Sequence, residues 1–98
     1  MTILNVAIGN SDDKLGQKGW SGYIIAVDRL VTEYSLDTHF KGFSGPDSQW
    51  QNASWTFEFW DALYIDDFKV RLSSIARYFK QDSIALLVGE TEFVKGVN

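Results

Sequence analysis

The chain has 98 residues, a formal net charge of −4 at pH 7 and no Cys. Without Cys, disulfides and thiolate metal sites are excluded. The nine basic residues are scattered, whereas binding to a phosphate backbone needs clustered Lys and Arg, so we expect no double-stranded nucleic acid as a partner. No leader is visible and no apolar run approaches the ~20 residues of a membrane span. The sequence therefore predicts one domain, residues 1–98, in the cytoplasm and without membrane contact.

The first half of the chain predicts a strand, a helix and a second strand. Residues 2–8, TILNVAI, are apolar on both faces, as in a central strand. Residues 17–34 carry one apolar helical stripe at alternating intervals of four and three residues, formed by Trp20, Ile24, Val27, Val31 and Tyr34. Residues 35–37 are interpreted as a connector, and residues 38–43, THFKGF, as a strand whose Gly indicates a bulge or an edge.

The second half repeats this alternation. The loop 44–52 holds the only Pro and is followed by a strand over 53–60, ASWTFEFW, whose Trp55, Phe57 and Phe59 share one face. A second stripe, running from Ile65 to Phe79, predicts a helix over about 66–80. Residues 83–88, SIALLV, predict a buried strand that Gly89 ends, and TEFV is read as a possible short final strand.

The order β-α-β-β-α-β predicts an α+β fold, a ferredoxin-like sandwich with two helices on one face of an antiparallel sheet. In this topology the connections 9–16, 44–52 and 80–83 meet at one end of the sheet. Polar side chains beside an aromatic one indicate a recognition surface there. The predicted ligand-binding residues are Asn10, Ser11, Asp12, Asp13, Trp50, Gln51, Asn52, Gln81 and Asp82, with Asp47 and Gln49 in the same cluster.

Each of these segments also has a structural interpretation. Asn, Ser, Asp and Gly are the residues with which a strand-to-helix turn satisfies its free N–H groups. Trp50 carries most weight for a site, because a Trp on a loop rich in Gly and Ser is hard to explain as core. The alternatives of a binding site and of a plain turn therefore both stay open.

Other site types find little support. With one His and no Cys, a zinc site and a Ser-His-Asp triad would both depend on His39, which lies within a predicted strand. Asp12, Asp13 and Asp82 could together hold Mg²⁺, although a solvated acidic turn is the simpler interpretation. We assign no catalytic residue, no metal and no cofactor.

The sheet face opposite the helices is expected to carry Trp60 together with Phe40 or Phe43. A second copy of the chain would cover such an apolar patch. The sequence therefore predicts a homodimer or a higher oligomer.

The segments IGNSDDKL, WQNASW and QDSIA, with TEF near the end, resemble a group of short actinobacterial and phage proteins that have no assigned activity. The resemblance transfers no catalytic residue. It implies a context in which small acidic phage proteins act by binding, for example against host defence systems.

Two functional hypotheses follow. The first is a non-enzymatic binding module, in its narrowest form a phage-encoded anti-defence protein that sequesters a small nucleotide-like ligand or inhibits a host protein. The alternative is a metal-dependent phosphodiesterase or nuclease of the small ferredoxin-like type, with an Asp near the end of the first strand.

Overall fold

The computed structural model describes residues 1–45, 48, 50–90, 92 and 94–96. Its helices and strands follow in the predicted order, namely β1 (Thr2–Gly9), α1 (Gln17–Tyr34), β2 (Ser35–Phe43), β3 (Asn52–Phe59), α2 (Ile65–Tyr78) and β4 (Ala85–Glu90). Short 3₁₀ turns, Ser11–Asp13 and Ala62–Tyr64, precede the two helices. Among these residues, neither helix has the length and apolar character to cross a membrane.

The strands form one antiparallel sheet in the order β2-β3-β1-β4, and both helices pack on one of its faces. Every second residue of the two central strands faces these helices, because side chains alternate along a strand. The buried residues of these strands are Leu4, Val6, Ile8, Ala53, Trp55, Phe57 and Phe59. The predicted alternation of β3 and the predicted central position of β1 are thus confirmed.

Aromatic rings fill the space between the sheet and the helices. Phe68 of α2 is fully buried and its ring lies 5.3–5.8 Å from the rings of Tyr34, Phe57 and Phe59. Edge-on ring pairs of this kind contribute about 0.5–1.5 kcal/mol beyond their buried area. Both predicted helical stripes face this cluster.

Three strand boundaries and the burial of one strand were predicted wrongly. β4 begins at Ala85 rather than Ser83, and it is a largely exposed edge strand rather than a buried one. Residues 35–37 are not a connector, because β2 begins directly after α1 and Ser35 pairs with Phe59. Gly89 does not end β4, since it pairs with Ile3 of the central strand and the strand continues to Glu90. Of the segment TEFV, Thr91 and Phe93 lie outside the described residues.

For the face opposite the helices, called here the open face, Phe40 and Phe43 were the predicted alternatives, and the register of β2 against β3 separates them. Phe43 pairs with Ala53 and its ring contacts Trp55, so it lies on the helix side. Trp60 follows the end of β3, and its ring stacks on Tyr64 at 5.1 Å. Register shifts in β2, which is an edge strand, change which of its residues share a face.

Phe40 does lie on the open face, opposite Thr56, and it is 61% exposed. Ile3, Ala7 and Leu87 share this face by register. At its centre, the Asn5 amide donates to Ser54 Oγ at 3.1 Å and to Thr56 Oγ1 at 2.8 Å. These polar groups satisfy one another, so a second copy can cover the face without leaving them unpaired.

Tyr23 of α1 is buried between Trp20 and Phe79, and in the described part of the chain its hydroxyl has no hydrogen-bond partner. Burial raises the pKa of Tyr23 from its ordinary value of 10.0 to about 12, because the phenolate would lose its hydration. An unsatisfied buried hydroxyl lowers stability by about 1–3 kcal/mol.

Tyr23→Phe is therefore expected to raise the free energy of unfolding by about 1 kcal/mol near neutral pH, since it removes the unpaired oxygen. The folded wild type keeps the phenol proton above pH 10, where an unfolded chain releases it. The wild type should consequently lose stability between pH 10 and 12, and the variant should lose less. Urea unfolding on both sides of pH 10 measures both effects, and a variant less stable than the wild type at neutral pH would contradict this account.

The open face leads to an oligomer prediction. At about 50 μM, above the micromolar dissociation constants of ordinary contacts, sedimentation should give the mass of two chains or more. Leu87→Asp should reduce this mass to one chain, because it places a charge on the open face, where Leu87 is 70% exposed. Leu63→Asp, at an exposed position in the 3₁₀ turn, is the matched control and should leave the mass unchanged. A wild type that sediments as one chain would show that the open face is not covered by a second copy.

Candidate functional site

Three connections meet at one end of the sheet, as the topology predicted. They are residues 10–16 between β1 and α1, residues 44–51 between β2 and β3, and residues 79–84 between α2 and β4. This surface is called here the loop end. Asp47 and Gln49 lie outside the described residues, whereas all nine predicted ligand-binding residues are described.

Asn10 joins two of these connections. Its side-chain amide donates to Gln51 Oε1 at 2.6 Å and to the Leu15 carbonyl at 2.8 Å, while its Oδ1 accepts the Leu15 N–H at 3.0 Å. Its backbone N–H also donates to the Gln51 carbonyl at 3.2 Å. The side chain of Asn10 is thus a structural brace, which leaves it little capacity for a ligand.

Gln81 joins the third connection to the first. The side chain is buried, with 6% exposed, and its Oε1 accepts the Ser11 N–H at 2.9 Å. Its Nε2 donates to the Phe79 carbonyl at 3.1 Å. The free-energy cost of burying this polar side chain is offset, because both the oxygen and the nitrogen of its amide are hydrogen-bonded.

Asp12 and Asp13 have positive φ angles of 52° and 54°. This left-handed conformation is strained for most residues, but Asp tolerates it because a short polar side chain can bond locally. Both side chains are exposed. The backbone therefore accounts for the residue type at these positions, while the carboxylates stay accessible from solvent.

A groove of about 460 Å³ lies on the loop end, lined by residues 9–13 together with Trp50 and Gln51. Trp50 is 75% exposed. Its backbone is fixed, since its carbonyl accepts from Ser48 Oγ at 2.9 Å and from Asn52 Nδ2 at 3.2 Å. The groove thus combines an exposed indole with two carboxylates, and no Lys or Arg belongs to its described lining.

Asp82 lies at the loop end but outside this groove. Its carboxylate is 3.7 Å from Lys14 Nζ, which also donates to the Lys80 carbonyl at 3.3 Å. Within the described part of the chain, no three His, Cys, Asp or Glu residues are grouped as metal ligands would be. Asp12, Asp13 and Asp82 are accordingly not drawn together into one carboxylate cluster.

Three solved structures are similar to the chain. A putative antibiotic biosynthesis monooxygenase from Deinococcus radiodurans superposes with a TM-score of 0.57 at 9% identity, over 100% of this chain and 99% of that one. A hypothetical Arabidopsis thaliana protein gives 0.52 at 14% identity, over 95% and 90%. A dimeric ferredoxin-like protein from an uncultured marine organism gives 0.47 at 11% identity, over 97% and 92%.

The fold is ferredoxin-like. At these identities the likeness extends to the fold alone, which hosts many unrelated functions. No protein-family model and no curated protein matches the chain. The resemblance to actinobacterial and phage proteins therefore stays a prediction from the sequence.

The sequence analysis missed a second groove. It lies between α2 and the edge strand β4, has a volume of about 720 Å³, and is called here the helix–strand groove. One signal was present, because Lys69, Ser73 and Arg77 recur at intervals of four along one side of a helix.

Asn10→Ala tests the structural role of the amide. We expect the free energy of unfolding to fall by about 1.5–4.5 kcal/mol, because the three short side-chain hydrogen bonds of Asn10 are lost at about 0.5–1.5 kcal/mol each. Urea unfolding measures the change.

Asn52→Ala is the matched control. It also lies at the loop end, but within the described residues its side chain makes a single exposed hydrogen bond, to the Trp50 carbonyl, so the substitution should change stability by less than about 0.5 kcal/mol. Equal losses in the two variants would contradict the bracing role of Asn10.

Proposed function

We propose that the chain is a binding module whose loop-end groove receives a positively charged nitrogen. That group belongs either to a small organic cation or to a basic side chain of a partner protein. The observation that carries the proposal is the composition of the groove, in which Asp12, Asp13 and the exposed indole of Trp50 occur together without a cation.

The chemistry favours a cation over the face of Trp50. A cation within about 6 Å of a Trp ring gains about 0.5–1 kcal/mol at an exposed site, and more where water is excluded. Two nearby carboxylates add an attraction that salt screens over about 10 Å at 0.1 M. The same carboxylates repel phosphate groups, which argues against a nucleotide unless a cation accompanies it.

The amide braces support this proposal by fixing the groove before a ligand arrives. Asn10 and Gln81 hold the backbone of residues 10 and 11 against the two neighbouring connections. A preformed site loses less conformational entropy on binding than a loop that must first be ordered. Asn10 and Gln81 thus act as positioning residues, whereas Trp50, Asp12 and Asp13 would contact the ligand.

The narrower functional hypotheses are predictions from the sequence alone. A phage-encoded inhibitor of host defence rests on the sequence resemblance, and inhibition of a host protein would fit a basic side chain in the groove. The nuclease alternative needs grouped carboxylates, and no observation of the structure favours it over a binding module.

A titration of the ¹⁵N-labelled protein with N-acetyl-arginine amide, tetramethylammonium and AMP tests the proposal. We expect the two cations to shift the amide signals of residues 10–13 and 50–52, with binding that weakens as salt rises. Trp50→Ala should reduce the affinity about twofold to fivefold, as the loss of a surface cation–π contact predicts, and change stability by less than about 0.5 kcal/mol. A stronger response to the arginine derivative than to tetramethylammonium would favour a protein partner.

Trp60→Ala is the matched control, because Trp60 is also exposed but lies in the turn after β3. It should leave cation binding unchanged. The proposal fails if AMP binds in preference to both cations, or if Trp50→Ala binds them as the wild type does. Unfolding of Trp50→Ala would show that Trp50 is part of the core.

A further inference from the structure

The helix–strand groove has an apolar floor and a charged edge. Leu72 and Ala76 of α2 and Leu86 and Val88 of β4 form the floor. Val88 faces the helix side by its pairing with Leu4, yet it is 51% exposed, because α2 does not extend over this edge of the sheet. Of the four floor side chains, Val88 is thus left exposed and Leu86 partly exposed, whereas Leu72 and Ala76 are buried beneath them.

Two cations of α2, Lys69 and Arg77, border the floor. Within the described residues neither of them forms an ion pair, although the chain as a whole carries an excess of acidic residues. The described lining of the groove combines six polar or charged residues with five apolar ones, and its volume lies in the range of about 300–1,000 Å³ that is typical of small-molecule sites. The charges complement an anion, in contrast to those of the loop end.

The two cations are not equivalent. They are eight residues apart on the helix, which corresponds to about 12 Å at a rise of 1.5 Å per residue. Arg77 lies in the last turn of α2, and its end of the groove also holds the Asp82 carboxylate. The last carbonyls of a helix carry partial negative charge and a carboxylate carries a full one, so an anion binds less favourably beside them. Lys69, which lies within the first half of the helix, has neither of these neighbours in the groove lining.

We propose that the helix–strand groove binds an amphipathic monoanion, a carboxylate with an aliphatic tail. The tail lies on the exposed side chain of Val88 and the partly exposed side chain of Leu86, and the carboxylate pairs with Lys69. The inference does not depend on the proposed function, because it concerns a different surface of opposite charge.

The test is an NMR titration of the ¹⁵N-labelled full chain with octanoate, hexanoate and octyltrimethylammonium. Octanoate should shift the amide signals of Ala76, Leu86 and Val88, and should bind more tightly than hexanoate by about fourfold to tenfold, since each buried methylene contributes up to about fourfold. The alkylammonium should bind the groove less tightly than octanoate. Lys69→Gln should weaken octanoate binding about threefold to tenfold, and Arg77→Gln less than about twofold, because the anion is held at one end.

Lys18→Gln on α1 is the matched control for the removal of one positive charge and should leave octanoate binding unchanged. Four results would overturn the proposal. The first is that octanoate shifts no amide signals in the groove, and the second is that hexanoate and octanoate bind with equal affinity. The third is that Lys69→Gln and Arg77→Gln lose octanoate affinity equally. The fourth is that ligand-free Leu86→Asp sediments with a lower mass than the wild type. The last result would show that the groove is an interface between copies of the chain.

Discussion

The hydrogen bond between the buried Gln81 side chain and the Ser11 N–H is the constraint on which the loop end depends. It joins residues 70 positions apart in the sequence, and it fixes the turn after β1 against the turn that leads into β4. The Asn10 amide completes the arrangement by joining the same turn to Gln51. Two side-chain amides therefore align three connections that the antiparallel sheet only brings near one another.

These braces divide the polar cluster after β1 into side chains that are bonded within the chain and side chains that are left exposed. Asn10 and Gln81 belong to the architecture, because their amides are used within the chain. Trp50 is the opposite case, since its backbone is held while its indole is exposed. A turn that satisfies its own backbone groups and a surface that offers carboxylates and an indole are thus parts of the same structure. We infer that the hydrogen bonds of Asn10 and Gln81 hold the exposed carboxylates and the exposed indole in position.

Local periodicity was sufficient to predict most of the fold. The apolar stripes of both helices and the alternation of Trp55, Phe57 and Phe59 depend on neighbours within a few residues, and the structure confirms them. Topology then placed the three connections at one end. The errors arose at residues whose secondary structure is determined by pairing with residues that are distant in the sequence. Ser35 belongs to a strand because Phe59 pairs with it, and Gly89 stays in one because it lies beside Ile3.

The candidate sites likewise have a part that the sequence predicts and a part that depends on contacts between distant residues. The membership of the loop end followed from strand directions, but the use of Asn10 and Gln81 as braces depends on atomic distances that no spacing reveals. The side of the sheet on which Phe43 lies was not predictable, because register shifts in β2 change the alternation. The helix–strand groove was missed because it exists only where α2 leaves Leu86 and Val88 uncovered. Such a gap is a property of packing between elements, and a hydrophobic pattern describes each element separately.

The exchange rate of the Ser11 amide hydrogen tests most directly whether the loop end is a surface fixed by its amides. In the wild type we expect slow exchange, because this N–H donates to a buried oxygen, and in Gln81→Ala we expect rapid exchange together with weaker binding of N-acetyl-arginine amide. Asn52→Ala should leave the rate unchanged. Rapid exchange of Ser11 in the wild type, or protection that persists in Gln81→Ala, would contradict the account.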